Sequence, residues 1–140
     1  MPVTTTLSPD HRPSDREAFM GADQQAYFRA RLLRWRAELL REAGETRSSM
    51  GQGGIVEADL ADRASVESDR ALELRTRDRA RKLVSKIDAA LERLENGTYG
   101  YCEETGEPIA LRRLEARPIA TMTIEAQERH ERMERVHRDD

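Results

Sequence analysis

Two long runs without glycine or proline, one from Ala22 to Ala43 and one ending at Asn96, flank the glycine cluster Gly51-Gln52-Gly53-Gly54. Runs of that length, rich in Ala, Leu, Glu and Arg, predict helix, and the glycines between them predict a break. The first run carries a seam of Phe28, Leu32, Trp35 and Leu39, at steps of four, three and four, which is one helical face. Leu33 and Leu40 are expected to widen it. The second carries Leu83, Val84, Ile87, Ala90, Leu91 and Leu94 in its later half, and the sparser Ala71, Leu72, Leu74 and Ala80 in its earlier half. Charged residues make up 36% of the chain and aromatic residues 4%, so a narrow apolar seam suits it better than a thick core. The fold expected is mainly α, a long antiparallel helical hairpin of coiled-coil character on a small globular base. Two helices of roughly 30 residues span about 45 Å. The seam predicts a well-packed base and a looser far end.

The organisation expected is a mobile tail over 1–13 with three prolines, an N-terminal segment and hairpin over 14–96, and a base over 97–140. Ser14 and Asp15 are expected to start a short turn, with Phe19 and Met20 as anchors. Helix breaking is expected at the glycines from 51 to 54. An acidic tip follows over 55–64, with Asp62 as the N-cap of the second helix. Asn96-Gly97-Thr98-Tyr99-Gly100 is a helix stop. Tyr99 to Ile109 then reads as a knuckle around Cys102, and a helix closes the chain. Trp35 reads as a core anchor.

The knuckle looks like a zinc finger that has lost its ligands. A structural zinc ion takes four ligands, commonly two Cys-x-x-Cys pairs. The corresponding places here hold Cys102, Thr105, Thr123 and Ala126. His130 and His137, about two turns apart, are not expected to join Cys102 in one ligand set. Zinc is therefore not expected, and packing by Tyr99, Tyr101, Ile109, Leu111, Leu114, Met122 and Ile124 is expected to offset its absence. A single cysteine allows no intramolecular disulfide. The formal net charge of -3 argues against a DNA-binding footprint, and neither a signal peptide nor a membrane span is expected. The expectation is a soluble, cytoplasmic monomer.

Asp59-Leu60-Ala61-Asp62-Arg63-Ala64, Leu72-Glu73-Leu74-Arg75-Thr76-Arg77-Asp78-Arg79 with Lys82-Leu83, Tyr99-Gly100-Tyr101-Cys102, and Ile109 with Arg112-Arg113-Leu114-Glu115-Ala116-Arg117-Pro118 together resemble the DksA/TraR family of bacterial transcription regulators. The resemblance covers nearly all of the chain beyond the tail. It implies a non-enzymatic factor that binds RNA polymerase, inserts its tip through the secondary channel and acts with ppGpp in the stringent response. Asp59, Asp62 and Ala64 match the family's functional tip. Arg79 and Leu83 match contacts at the channel rim, and Lys86 and Arg117 match alarmone contacts. A further family lysine falls at Gln127, which removes one positive charge. The four-cysteine finger survives only as Cys102.

The residues themselves support part of this. Arg75, Arg79, Lys82 and Lys86 step by four, three and four and share one helical face. Such a stripe suits an acidic surface or a polyphosphate, and also suits plain solvation. Three other classes fit less well. Paired carboxylates in an enzyme need a pocket to shift their pKa values. A transcript-cleavage factor would use its acidic tip to help bind a second Mg²⁺ in the polymerase. A structural coiled coil would oligomerise rather than fold back at the glycine cluster.

Overall fold

The structure, a computed structural model, describes residues 12–52 and 60–139, with side-chain detail over 12–44 and 64–138. Four helices follow in order: α1 (Ala22–Gln52), α2 (Leu60–Asn96), α3 (Leu111–Ala116) and α4 (Ile124–Asp139). The expected tail lies almost wholly outside the described residues. So do Gly53, Gly54 and the acidic segment through Asp59. Helix α1 passes through Gly44 and Gly51 and ends at Gln52, within the glycine cluster where a break is expected. A helical glycine costs only about 1 kcal/mol relative to alanine, which a long helix absorbs. Asp62 is not an N-cap, because α2 already begins at Leu60. It lies in the first turn of α2.

The chain divides into two compact units, Met1–Leu32 with Ala89–Asp140, and Leu33–Asp88. In the first, Arg29 pairs with Glu95 at 3.0 Å. In the second, Arg36 Nε donates to Asp88 Oδ1 at 2.7 Å. Each pair ties α1 to α2 within its own unit. Such surface pairs contribute little energy. They report register; burial sustains it.

That burial differs sharply between the units. Among the described residues of Leu33–Asp88, only Leu39, Ala80 and Ile87 are buried. Trp35, Leu83 and Val84 are half-buried. Leu33, Leu40, Leu72 and Leu74 are about half exposed or more, so they do not widen the seam as their apolar character suggests. Leu33 and Leu40 each follow a seam residue by one position, about 100° round the helix, and that turn carries them out to solvent. Ala71 is exposed as well.

The other unit has a true core. Phe28, Leu32, Ala90 and Leu94 are buried on the two long helices, with Tyr99, Ile109, Leu114 and Ala126 from the rest of the base. The segment ahead of α1 is fastened by Gln24, which is 1% exposed. Its Oε1 accepts from Met20 N at 2.8 Å and its Nε2 donates to Ser14 O at 3.1 Å. A glutamine at the third helical position reaching back in this way resembles one half of a capping box. Met20 is thereby pressed onto Gly100, where a Cβ would lie 3.0 Å from Met20 Cγ. Gly100 also has φ +89°, so both conformation and space require glycine there. Phe19 stacks edge-on against Tyr101 with centroids 5.4 Å apart.

The sparse seam of Leu33–Asp88 makes its few buried groups decisive. Ile87→Ala should lower stability by about 2–5 kcal/mol, and Leu72→Ala by no more than about 0.5 kcal/mol. Urea denaturation followed by circular dichroism compares the two. Equal losses would mean that Leu72 is buried after all.

Candidate functional site

Helix α2 stops in a Schellman-type motif: Gly97 adopts φ +81°, and the N–H groups of Thr98 and Tyr99 both donate to Arg93 O, at 2.9 and 3.1 Å. The chain then turns back on itself through a single antiparallel bridge, Tyr101 with Pro108. Ile109 N donates to Gly100 O at 2.7 Å, Cys102 N to Glu107 O at 2.8 Å and Gly106 N to Cys102 O at 2.8 Å. These bonds close a tight knuckle with Cys102 inside it, 2% exposed.

The four finger positions have separate structural occupations. Thr105 is exposed, and its hydroxyl oxygen accepts from Glu107 N at 3.3 Å. Thr123 is buried just before α4, and its Oγ1 accepts from Ala126 N at 3.2 Å. That is an N-cap, and its sequence signal was a threonine directly ahead of a helical stretch. Ala126 is completely buried and offers no donor atom to a metal. His130 and His137 are exposed on α4, and His130 pairs with Glu134 at 3.2 Å. Among the described residues, no three His, Cys, Asp or Glu side chains gather where they could hold a metal ion. A four-thiolate zinc site does not fit these residues.

Packing takes up the knuckle with a membership that differs in part from the expected one. Tyr99, Ile109, Leu111 and Leu114 are buried, joined by Ile119, Ala120 and Ala126. Met122 is half-buried. Ile124 is 52% exposed and Tyr101 38%, so neither belongs to the core. Ile124 is the first residue of α4 and points away because Thr123 and Ala126 set the buried side of that turn.

Burial acts to raise the Cys102 thiol pKa. It is outweighed by hydrogen bonds from the Thr105 hydroxyl and from the backbone N–H groups of Thr123, Thr105 and Glu104, which bring it down from 9.0 to about 7.

The second set of candidate residues lies on α2 in the Leu33–Asp88 unit. Arg75, Arg79, Lys82 and Lys86 are all exposed, as their spacing on one helical face requires for solvation. Leu83, one helical turn on from Arg79, is half-buried. Asp78 is engaged by Arg81 rather than by a member of the stripe. At the start of α2, Ala64 is exposed, the Asp62 side chain falls outside the described detail, and Asp59 lies outside the described residues.

Arg117 lies in the other unit, exposed, as the C-cap of α3 with φ −141° and ψ 85°. Its N–H donates to Arg113 O at 2.7 Å, and its carbonyl accepts from Ala120 N at 3.0 Å. Gln127, on α4, donates from Nε2 to Glu131 Oε1 at 3.1 Å.

A mostly helical chain with a finger-like knuckle at the end of a long helix is the class that known proteins confirm. Residues 24–94 match the family described as DnaK suppressor protein DksA, N-terminal domain, and residues 97–132 match the prokaryotic dksA/traR C4-type zinc finger. The chain is 67% identical to the RNA polymerase-binding transcription factor DksA of Caulobacter vibrioides over 131 residues, covering 94% of this chain and 92% of that one. It is 43% identical to the Escherichia coli factor of the same name, over 78% of this chain and 72% of that one. The solved structure of transcription factor DksA2 from Pseudomonas aeruginosa superposes with a TM-score of 0.76 at 49% identity, over 84% of this chain and 91% of that one. This chain belongs to the DksA family.

The lowered thiol gives a signed pH dependence. A group whose folded pKa lies below its unfolded value stabilises the fold fully above the unfolded value, near 9, and that stabilisation is lost as pH falls through about 7. The stability difference between the wild type and Cys102→Ser should therefore widen from pH 6 to pH 9. Chemical denaturation across that range measures it. A gap that stays flat would show that the amides do not favour the thiolate.

Proposed function

We propose that this protein is a non-enzymatic transcription regulator that binds RNA polymerase directly. The observation that carries the reading is the 67% identity, over nearly all of both chains, to a factor named for that binding. The exposed stripe on α2 supports it: Arg75, Arg79 and Lys82 offer a basic face to an acidic protein surface, and Lys86, at the end of that face, is left for the effector. In this reading α2 enters the polymerase secondary channel, with Arg79 and Leu83 at the channel rim. Asp59, Asp62 and Ala64 are carried toward the catalytic centre, where carboxylates bias the open promoter complex without chemistry of their own. The alarmone ppGpp is the effector, with Lys86 and Arg117 as its cationic contacts. Guanidinium and ammonium groups both suit phosphate, the first bidentately. The base works without zinc, since two of its finger positions serve as hydrogen-bonding threonines and one as buried alanine. Among the described residues no helix is long and apolar enough to cross a membrane.

The test is multi-round transcription from a ribosomal promoter with and without ppGpp. Asp62→Asn should abolish inhibition while its affinity for polymerase, measured by competition, stays within tenfold, about 1.4 kcal/mol. A larger loss of binding would make the tip an anchor rather than an effector.

Lys86→Ala and Arg117→Ala should each remove the ppGpp response and keep basal inhibition, and Gln127→Lys should strengthen the response. The wild-type response should survive EDTA. A ppGpp effect that persists in the Lys86/Arg117 double alanine variant would refute the alarmone assignment.

A further inference from the structure

Arg117 is exposed, yet the backbone that carries it is held from both sides. On one side stands Glu115, in the last turn of α3. Its carbonyl accepts from Arg31 Nη1 at 2.7 Å, and its Oε1 accepts from Tyr27 Oη at 3.1 Å. Both donors lie on α1, one turn apart, and the Arg31 guanidinium sits 5.9 Å from the Tyr27 ring centroid. On the other side stands Pro118, whose carbonyl accepts from Tyr99 Oη at 2.8 Å. The helix between these pins spans only Leu111–Ala116. A six-residue helix is unstable by itself, and its last carbonyls lack intrahelical partners. Arg31 supplies one of those carbonyls with a charged donor, which makes a stronger bond than a neutral one.

We infer that Tyr27 and Arg31 are positioning residues for Arg117: through Glu115 they fix the end of α3 so that the Arg117 guanidinium is presented to the phosphates of the effector. The inference rests on the alarmone reading given above. Holding a cation in place before the ligand arrives lowers the ordering cost of binding. The two α1 side chains therefore act on effector affinity while touching no phosphate themselves. Arg117 keeps its long, exposed side chain free to meet the ligand, and only its root is fixed. Neither Tyr27 nor Arg31 belongs to the basic stripe or to the tip, so basal inhibition does not depend on them.

The experiment titrates ppGpp into the transcription assay with full-length protein and reads the half-effective ppGpp concentration separately from ppGpp-free inhibition. Arg31→Met and Tyr27→Phe should each raise the half-effective concentration roughly three- to tenfold, the worth of one lost hydrogen bond. Inhibition without ppGpp should stay within about twofold of wild type. Arg31→Lys, which keeps a charged donor, should restore most of the response. A general loosening of the base would instead lower both readings together, and no lysine rescue would follow. Tyr27→Phe, the milder change, decides the case if Arg31→Met fails to fold. Arg117→Ala serves as the reference arm. If it loses the response while Tyr27→Phe and Arg31→Met keep the wild-type half-effective concentration, the positioning role is wrong and the alarmone reading stands. If Arg117→Ala keeps the response, the alarmone reading fails and the positioning role falls with it.

Discussion

The Tyr99 hydroxyl, donating to Pro118 O from a ring packed against Phe28 at 5.6 Å between centroids, joins three parts of the base. Phe28 belongs to α1, Tyr99 follows the end of α2, and Pro118 opens the link from α3 to α4. Tyr99 is 2% exposed, and burial raises its pKa above the usual phenol range, against a smaller opposing pull from Arg93 and Arg31. It therefore stays a neutral donor at any physiological pH. A phenylalanine would fill the same volume but leave a buried carbonyl without its partner, at a cost of about 1–3 kcal/mol. The knuckle, the C-cap of α3 and the start of α4 are all placed relative to this bond.

In a four-cysteine finger, metal binding contributes directly to folding. Here the same positions work by other means. Thr123 caps a helix, Ala126 fills space, Thr105 stabilises a turn, and Cys102 receives the amides. Each contribution is modest, on the order of 1 kcal/mol for a cap or a hydrogen bond. They suffice because they rest on a core that already includes Ile109, Leu114 and Leu94.

Much of this was legible in the sequence, and the misses are instructive. The seam Phe28, Leu32 and Leu39 and the later α2 residues Ile87, Ala90 and Leu94 could be read from spacing, because one helical face is a one-dimensional property. Leu33, Leu40, Leu72 and Leu74 misled, because hydrophobicity does not state which face a residue occupies. Asp62 misled for a different reason: local capping propensity is a weak prior, and α2 begins two residues ahead of it. The exposed basic stripe was readable, whereas the Tyr27, Arg31 and Glu115 cluster was not. Its members lie 88 and 84 residues apart along the chain, and nothing in their local pattern announces the meeting.

The chain's one cysteine lies inside the knuckle with its ionisation near neutrality. A thiol reagent in solution therefore meets a nucleophile that is chemically ready but sterically closed. The modification rate is then set by how often the knuckle opens, not by the intrinsic reactivity of the sulfur. With Cys102 the chain's one cysteine, the base carries a native clock for its own local opening, readable without introducing a label elsewhere in the molecule.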